Sequence, residues 1–194
     1  MKQKLLEDLK QIRKNDFYGN SDLEIKLKDL LFPTSTEELT LDLSNVTSAF
    51  YGLMLKNIGN EIGLDKIDEI SKSTFYDLGK AKSEQCQIKM NNIAKDTTTY
   101  FIVLASAIFN ASPEYTFKII EFTKEITIFE LNGVDRYLRI LKELEISDYV
   151  TFPTLIPFME GIKDYFEINS TIEYDLQYIE GTNETKCIYK FNLL

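Results

Sequence analysis

The chain has 194 residues, 44% hydrophobic and 27% charged with only four prolines, a balance that describes a globular protein rather than a disordered one. Its 31 acidic side chains outnumber 22 basic ones for a formal charge of −9, which argues against a phosphate-backbone partner, since nucleic-acid binding relies on Lys and Arg displacing counterions. There is no histidine, which removes Ser-His and Cys-His nucleophile pairs and the usual zinc and non-haem iron sites, and two cysteines cannot build a four-thiolate zinc site.

The N-terminus, MKQKLLEDLKQIRKND, is charged throughout and lacks the apolar core of a signal peptide. The longest uncharged apolar stretch, Tyr100 to Phe109, is about half the ~20 residues that a spanning helix needs. A cytoplasmic protein without membrane insertion is the expectation, with Cys86 and Cys187 held as thiols. No nucleic-acid partner, cofactor or metal is expected.

Residues 1–14 place Leu5, Leu6, Leu9 and Ile12 at helical spacing. Asp16 to Ser21 reads as a turn, and Asp22 to Leu31 as a helix ending before Pro33, with a strand as the alternative. Thr34 to Leu43 is a connector with capping potential. From Ser44 a long amphipathic helix is expected, with Val46, Ala49, Phe50, Leu53, Met54, Ile58 and Ile62 on its inward side. Gly52 and Gly59 within it suggest close approach of another helix, because a mid-helix glycine costs about 1 kcal/mol against alanine. Leu64 to Ala81 continues as a further helix, with Asp65, Asp68 and Glu69 on a solvated outer face. A buried helix then runs from about Ile93 to Phe109, apolar on nearly every side.

Past Pro113 the hydrophobic period changes to two. Glu114 to Phe122 and Glu125 to Leu131 read as strands, closed by Asn132-Gly133. Asp135 can cap a helix reaching about Glu145, and Pro153 and Pro157 frame the start of another that carries Leu155, Ile156, Met159, Ile162 and Phe166. Ser170 to Ile179 alternates, a Glu-Gly-Thr-Asn turn follows, and Lys186 to Leu193 returns as the last strand. The expected architecture is α+β: a helical N-terminal half packed on a mostly antiparallel sheet of about four strands, in the order α-rich, then β-β-α-α-β-β. Residues 1–43 form an N-terminal helical extension and residues 44–194 the α+β domain, with one continuous domain as the alternative.

This order, and the ending Gly181-Thr-Asn-Glu-Thr-Lys-Cys187 in an alternating strand, resembles the superfamily of 4-vinyl reductase domains. That superfamily also holds small subunits of vesicle-tethering complexes and the L-2-amino-thiazoline-4-carboxylic acid hydrolase family. The resemblance implies a pocket between helices and sheet. The hydrolase-like members carry further cysteines where this chain has Asn132-Gly133 and Val150-Thr-Phe152, so only Cys187 carries over and transfer of hydrolase activity is weakened.

Cys187 shares a strand face with Thr185 and Tyr189, so a small core residue is the plain interpretation and a nucleophile or ligand contact the sharper one. Glu173 and Asp175 also share a strand face, where paired carboxylates can divide acid and base roles. Aromatic residues near the helix–sheet seam can line an apolar cavity, and the residues expected to contact a ligand are Phe101, Phe129, Tyr137, Phe158, Tyr174 and Cys187. The leading expectation is a non-catalytic domain that binds a small apolar ligand or has a regulatory role. Its alternatives are a hydrolase using Cys187 or a carboxylate pair, and an acidic, immunity-like interaction protein. The N-terminal helices are amphipathic enough to pack on a second copy, which makes a homodimer a further expectation.

Overall fold

The computed structural model describes residues 4, 8, 11, 14–17, 19–30, 32–90 and 93–194. The apolar positions of the helix expected over residues 1–14, Leu5, Leu6, Leu9 and Ile12, lie outside the described residues. Internal contacts divide the chain into two units, residues 1–43 and 44–194. No described helix is long and apolar enough to cross a membrane.

In the first unit, α1 spans Ser21–Leu30. The long helix α2, Thr36–Ile62, starts here, eight residues before the expected Ser44. The reason is a side-chain cap at Ser35, with Glu38 tying down the residue before it. Ser35 Oγ accepts from the Glu38 N–H at 3.1 Å, and the Glu38 carboxylate reaches back to the Thr34 hydroxyl at 2.6 Å.

The second unit is α+β. The remainder of α2 leads through a 3₁₀ turn at Leu64–Lys66 into α3 (Ile67–Gln87) and α4 (Thr97–Ala111). Strands β1 (Tyr115–Phe122) and β2 (Ile126–Val134) follow, then α5 (Arg136–Glu143), a 3₁₀ turn at Ser147–Tyr149, α6 (Leu155–Tyr165), β3 (Ser170–Tyr178) and β4 (Glu184–Leu193). The sheet order is β1-β2-β4-β3 with every pair antiparallel, so the two hairpins meet along β2 and β4.

Register decides which side chains face the helices. Thr127, Phe129 and Leu131 sit opposite Phe191, Tyr189 and Cys187, and all six are buried. The other face carries charge pairs such as Lys186–Glu130 at 2.9 Å. A register shift between Ile119 and Glu121 keeps Ile119 and Phe122 on the helix side of the edge strand β1. Asn132-Gly133 does not end β2. The strand continues to Val134, with Gly133 at φ 140 where a side chain would strike the Glu114 backbone.

Asp96 caps α4, its carboxylate accepting from the N–H groups of Thr98 and Thr99 at 3.0 and 3.1 Å. The helix lies on the sheet, with Tyr100 stacked on Phe191 at 4.0 Å between ring centroids and Phe101 against Phe129 at 5.0 Å. It is not enclosed on every side as expected: Ile102 and Phe109 face solvent.

Helix α2 also departs from its expected orientation. It buries Ser44, Ser48, Tyr51, Gly52, Leu55 and Gly59, while Val46, Phe50 and Leu53 are exposed. Small residues let backbones approach, and that is the face the fold uses. The same choice recurs in α3, which buries Ser71, Phe75, Gly79 and Ser83. Where α3 crosses α6, a methyl built on Gly79 would meet the Phe158 carbonyl, with Phe158 C at 3.0 Å and Gly161 Cα at 3.2 Å. Gly161 meets the Tyr76 carbonyl reciprocally, so the two helices touch backbone to backbone.

Helices α5 and α6 end alike. Glu145 and Glu167 adopt φ 60 and 53, and the next N–H groups, of Ile146 and Ile168, reach back to the carbonyls of Leu141 and Lys163 at 2.9 and 3.0 Å. Each Schellman turn thereby sends a buried isoleucine into the core.

Candidate functional site

A cleft of about 420 Å³ lies among the helices of the second unit. Helix α3 presents Phe75, Leu78 and Lys82 at spacings of three and four, which puts them on one face, with Ala81 and Gln85 beside them. The last turn of α4 supplies Ala107, Ile108 and Ala111, and α6 supplies Leu155 and Phe158. Thr47 of α2, Ser112, and Arg136 and Tyr137 at the start of α5 complete the lining. The space exists because alanines at 81, 107 and 111 stand where larger side chains would close it.

One end of the cleft is built on an aromatic triad. Tyr51, Phe75 and Tyr137 meet pairwise edge to face at 5.3, 5.2 and 5.0 Å between centroids, an arrangement that favours the positive ring edge against a neighbouring face. The Tyr51 hydroxyl shares a hydrogen bond of 2.6 Å with Ser71, and burial pushes its pKa well above the usual phenol value.

Asp135 positions the polar part. Its carboxylate accepts from the N–H groups of Tyr137 and Leu138, both at 2.9 Å, which fixes the first turn of α5 and places Arg136 at the cleft. Burial pushes the Asp135 carboxyl up, against the lowering effect of these bonds, of the Tyr115 hydroxyl and of the neighbouring Arg136 charge. The Arg136 guanidinium is buried, donates to the Ala111 carbonyl at the end of α4 and to Ser44 Oγ, and lies over the Tyr137 ring at 4.7 Å.

The six residues expected to contact a ligand fall in different places. Tyr137 and Phe158 line the cleft. Phe101 and Phe129 pack against each other in the seam between α4 and the sheet, which these rings and the Tyr100–Phe191 stack fill. Tyr174 is about half exposed on β3. Cys187 borders a separate space of about 10 Å³ together with Tyr115, Asp135 and Tyr189, room for about one water and for no organic ligand. Among the cleft residues not expected to contact a ligand are Phe75, Leu78 and Leu155, legible only as apolar helix positions, and Lys82, Gln85 and Arg136. The i, i+3, i+7 pattern of 75, 78 and 82 was available as a signal; the void itself was not.

The candidates for chemistry are similarly dispersed. Burial pushes the Cys187 thiol up to about 11, away from the thiolate that a nucleophile needs. Glu173 faces solvent and contacts Asn192 at 3.3 Å, and Asp175 pairs with Gln177 at 3.2 Å. Asp68 accepts from Lys72 and Thr151 at 2.6 and 2.7 Å. Among the described residues no group of three acidic or thiol side chains is placed to hold a metal ion.

No protein-family model matches the sequence, and no curated protein matches it. Among solved structures, the fold is similar to the phenol-responsive sensory domain of the transcription activator PoxR, crystallised with phenol. The likeness covers 74% of this chain and 73% of that one, at 11% identity and a TM-score of 0.48, a level that speaks to neither ligand nor activity.

Proposed function

We propose that the unit of residues 44–194 binds a small, largely apolar molecule in the cleft among α3, α4, α5 and α6, in a sensing or regulatory role without catalysis. The cleft itself carries this proposal. At about 420 Å³ it falls within the range of small-molecule sites, and its walls are mostly aliphatic and aromatic with a few polar groups gathered at Arg136, Ser112, Lys82 and Gln85. The non-catalytic part is supported by a lining that includes no carboxylate or thiol and by a chain with no histidine to serve as base. The element order β-β-α-α-β-β and the Gly181-to-Cys187 ending support a place beside ligand-binding domains of the 4-vinyl reductase type. The homodimer belongs to the same proposal, supported by the exposed stripe Val46, Phe50 and Leu53 on α2, and a monomer mass in sedimentation would remove it.

Nile red, a neutral apolar fluorophore, tests the site. Wild-type protein is expected to bind it at one site, and Ala107→Phe, which fills the cleft, is expected to weaken binding at least tenfold. Native mass spectrometry of protein from its own host should show an added small-molecule mass. Nile red binding unaffected by Ala107→Phe, together with a clean apo mass, would sink the proposal.

A further inference from the structure

The charge in the cleft runs against the charge of the chain. Lys82 and Arg136 line it and no carboxylate does, in a sequence with 31 acidic and 22 basic residues. Arg136 is 5% exposed, and a charge that deep ordinarily has a charged partner. Among the described residues no ion pair joins Arg136 to a carboxylate, although its neighbour Arg139 pairs with Glu143 at 3.9 Å. The acceptors of Arg136 are all neutral: the Ala111 carbonyl and Ser44 Oγ for Nη1, and the Tyr137 hydroxyl at 2.8 Å for Nη2. Its Nε–H has none. Glu114 is reached only through the Ser44 hydroxyl, which donates to it, and Glu114 does not line the cleft.

Asp135 and Glu114 are the carboxylates near this guanidinium, yet neither accepts a hydrogen bond from it directly, and its buried N–H without an acceptor is a hydrogen-bond deficit that an anionic acceptor corrects. We propose that the ligand of the cleft is an organic anion: an apolar alkyl or aryl body against Phe75, Leu78, Ile108 and Leu155, and one carboxylate received by Arg136, with Lys82 as the second cation. This rests on the cleft being a ligand site. The planar guanidinium matches a carboxylate in shape, and a charge-assisted hydrogen bond is about twice as strong as a neutral one. A neutral molecule of the same outline makes the apolar contacts but leaves the Arg136 Nε–H without an anionic acceptor.

The experiment compares decanoate with decanamide by titration calorimetry, and follows arginine side-chain N–H signals by NMR. Decanoate is expected to bind about 10- to 100-fold tighter, the range of a hydrogen bond to a charged group. The chain has three arginines, Arg13, Arg136 and Arg139, so three Nε–H resonances are expected, and decanoate but not decanamide should move that of Arg136. Arg136→Gln should cut the preference at least several-fold, the loss falling on decanoate more than on decanamide. Should that variant fail to fold, the wild-type preference and the Arg136 resonance decide alone. Equal affinity for both probes, with binding still blocked by Ala107→Phe, overturns the anion and leaves an apolar site. Binding of neither probe, nor of Nile red, removes the cleft as a ligand site and the anion with it.

Discussion

Replacing Gly79 by alanine tests the crossing that sets the width of the cleft. The added methyl meets only backbone: the Phe158 carbonyl oxygen, then Phe158 C at 3.0 Å and Gly161 Cα at 3.2 Å. Ordinary carbon contacts are about 3.5–4.0 Å, and no rotamer change moves backbone, so α3 and α6 must separate. Met159 and Ile162, fully buried on α6, then lose contact with their neighbours. Overpacking of this kind costs about 1–3 kcal/mol, with rigid backbone at the upper end. The substitution also removes a mid-helix glycine, which returns about 1 kcal/mol. The clash wins, and a net loss of about 1–2 kcal/mol is expected, roughly 2–8 °C in melting temperature for a chain this long. Gly52→Ala is the control: its methyl would meet Ile140 Cγ1 and Leu144 Cδ1 at 2.9 Å, which are side-chain atoms that can give way. Thermal and urea unfolding of the full chain read both, and Nile red titration reads the cleft, whose wall includes Phe158. A Gly79→Ala protein as stable as wild type would show that the two helices do not touch through their backbones.

Other outcomes follow from features already described. Glu145→Gly should stabilise the protein by about 0.5–1 kcal/mol in chemical unfolding, because glycine adopts the left-handed conformation at φ 60 without the penalty that glutamate bears; a destabilised variant would contradict this. Of the two cysteines, Cys86 is partly exposed and Cys187 is buried with its thiol pushed up to about 11, so iodoacetamide at pH 8 should label Cys86 first and Cys187 only on unfolding, as peptide mass spectrometry would show. Asp135 titrates in the folded state above its ordinary value near 3.8, so the folded protein binds the extra proton and the contribution of this one group to stability falls as pH rises through that region, against the opposite slope from Asp68, Glu130 and Glu167. Asp135→Asn keeps a capping side chain and should gain stability relative to wild type as pH rises through that region; parallel pH profiles of the two proteins would refute the assignment.

The α+β architecture was readable because its signals are local. Alternation marks β3 and β4, and Asp135 announces the start of α5. What escaped was the identity of the packing faces. Hydrophobic periodicity on α2 selects Val46, Phe50 and Leu53, yet the fold buries Ser44, Ser48, Gly52 and Gly59. A stripe of small residues at spacings of four and seven is as periodic as a stripe of large ones, and it marks close helix approach instead of bulk. The cleft escaped for a related reason. It is a shortage of volume where Ala81, Ala107 and Ala111 converge from different helices, and sequence order does not reveal which alanines face one another. Arg136 was legible as a residue but not as a buried one, since its burial depends on the cap at Asp135 and on the end of α4.

The sheet order has a consequence for biosynthesis. β4 bridges β2 and β3, so a nascent chain that has emerged only through α6 carries a β1–β2 ribbon whose inner border has no partner. Helical pieces can form as they leave the ribosome, whereas the platform beneath α4 must wait for residues 184–193, some fifty positions after β2 ends. During that delay Phe129 and Leu131 lack the β4 neighbours, Tyr189 and Cys187, that flank them in the finished sheet.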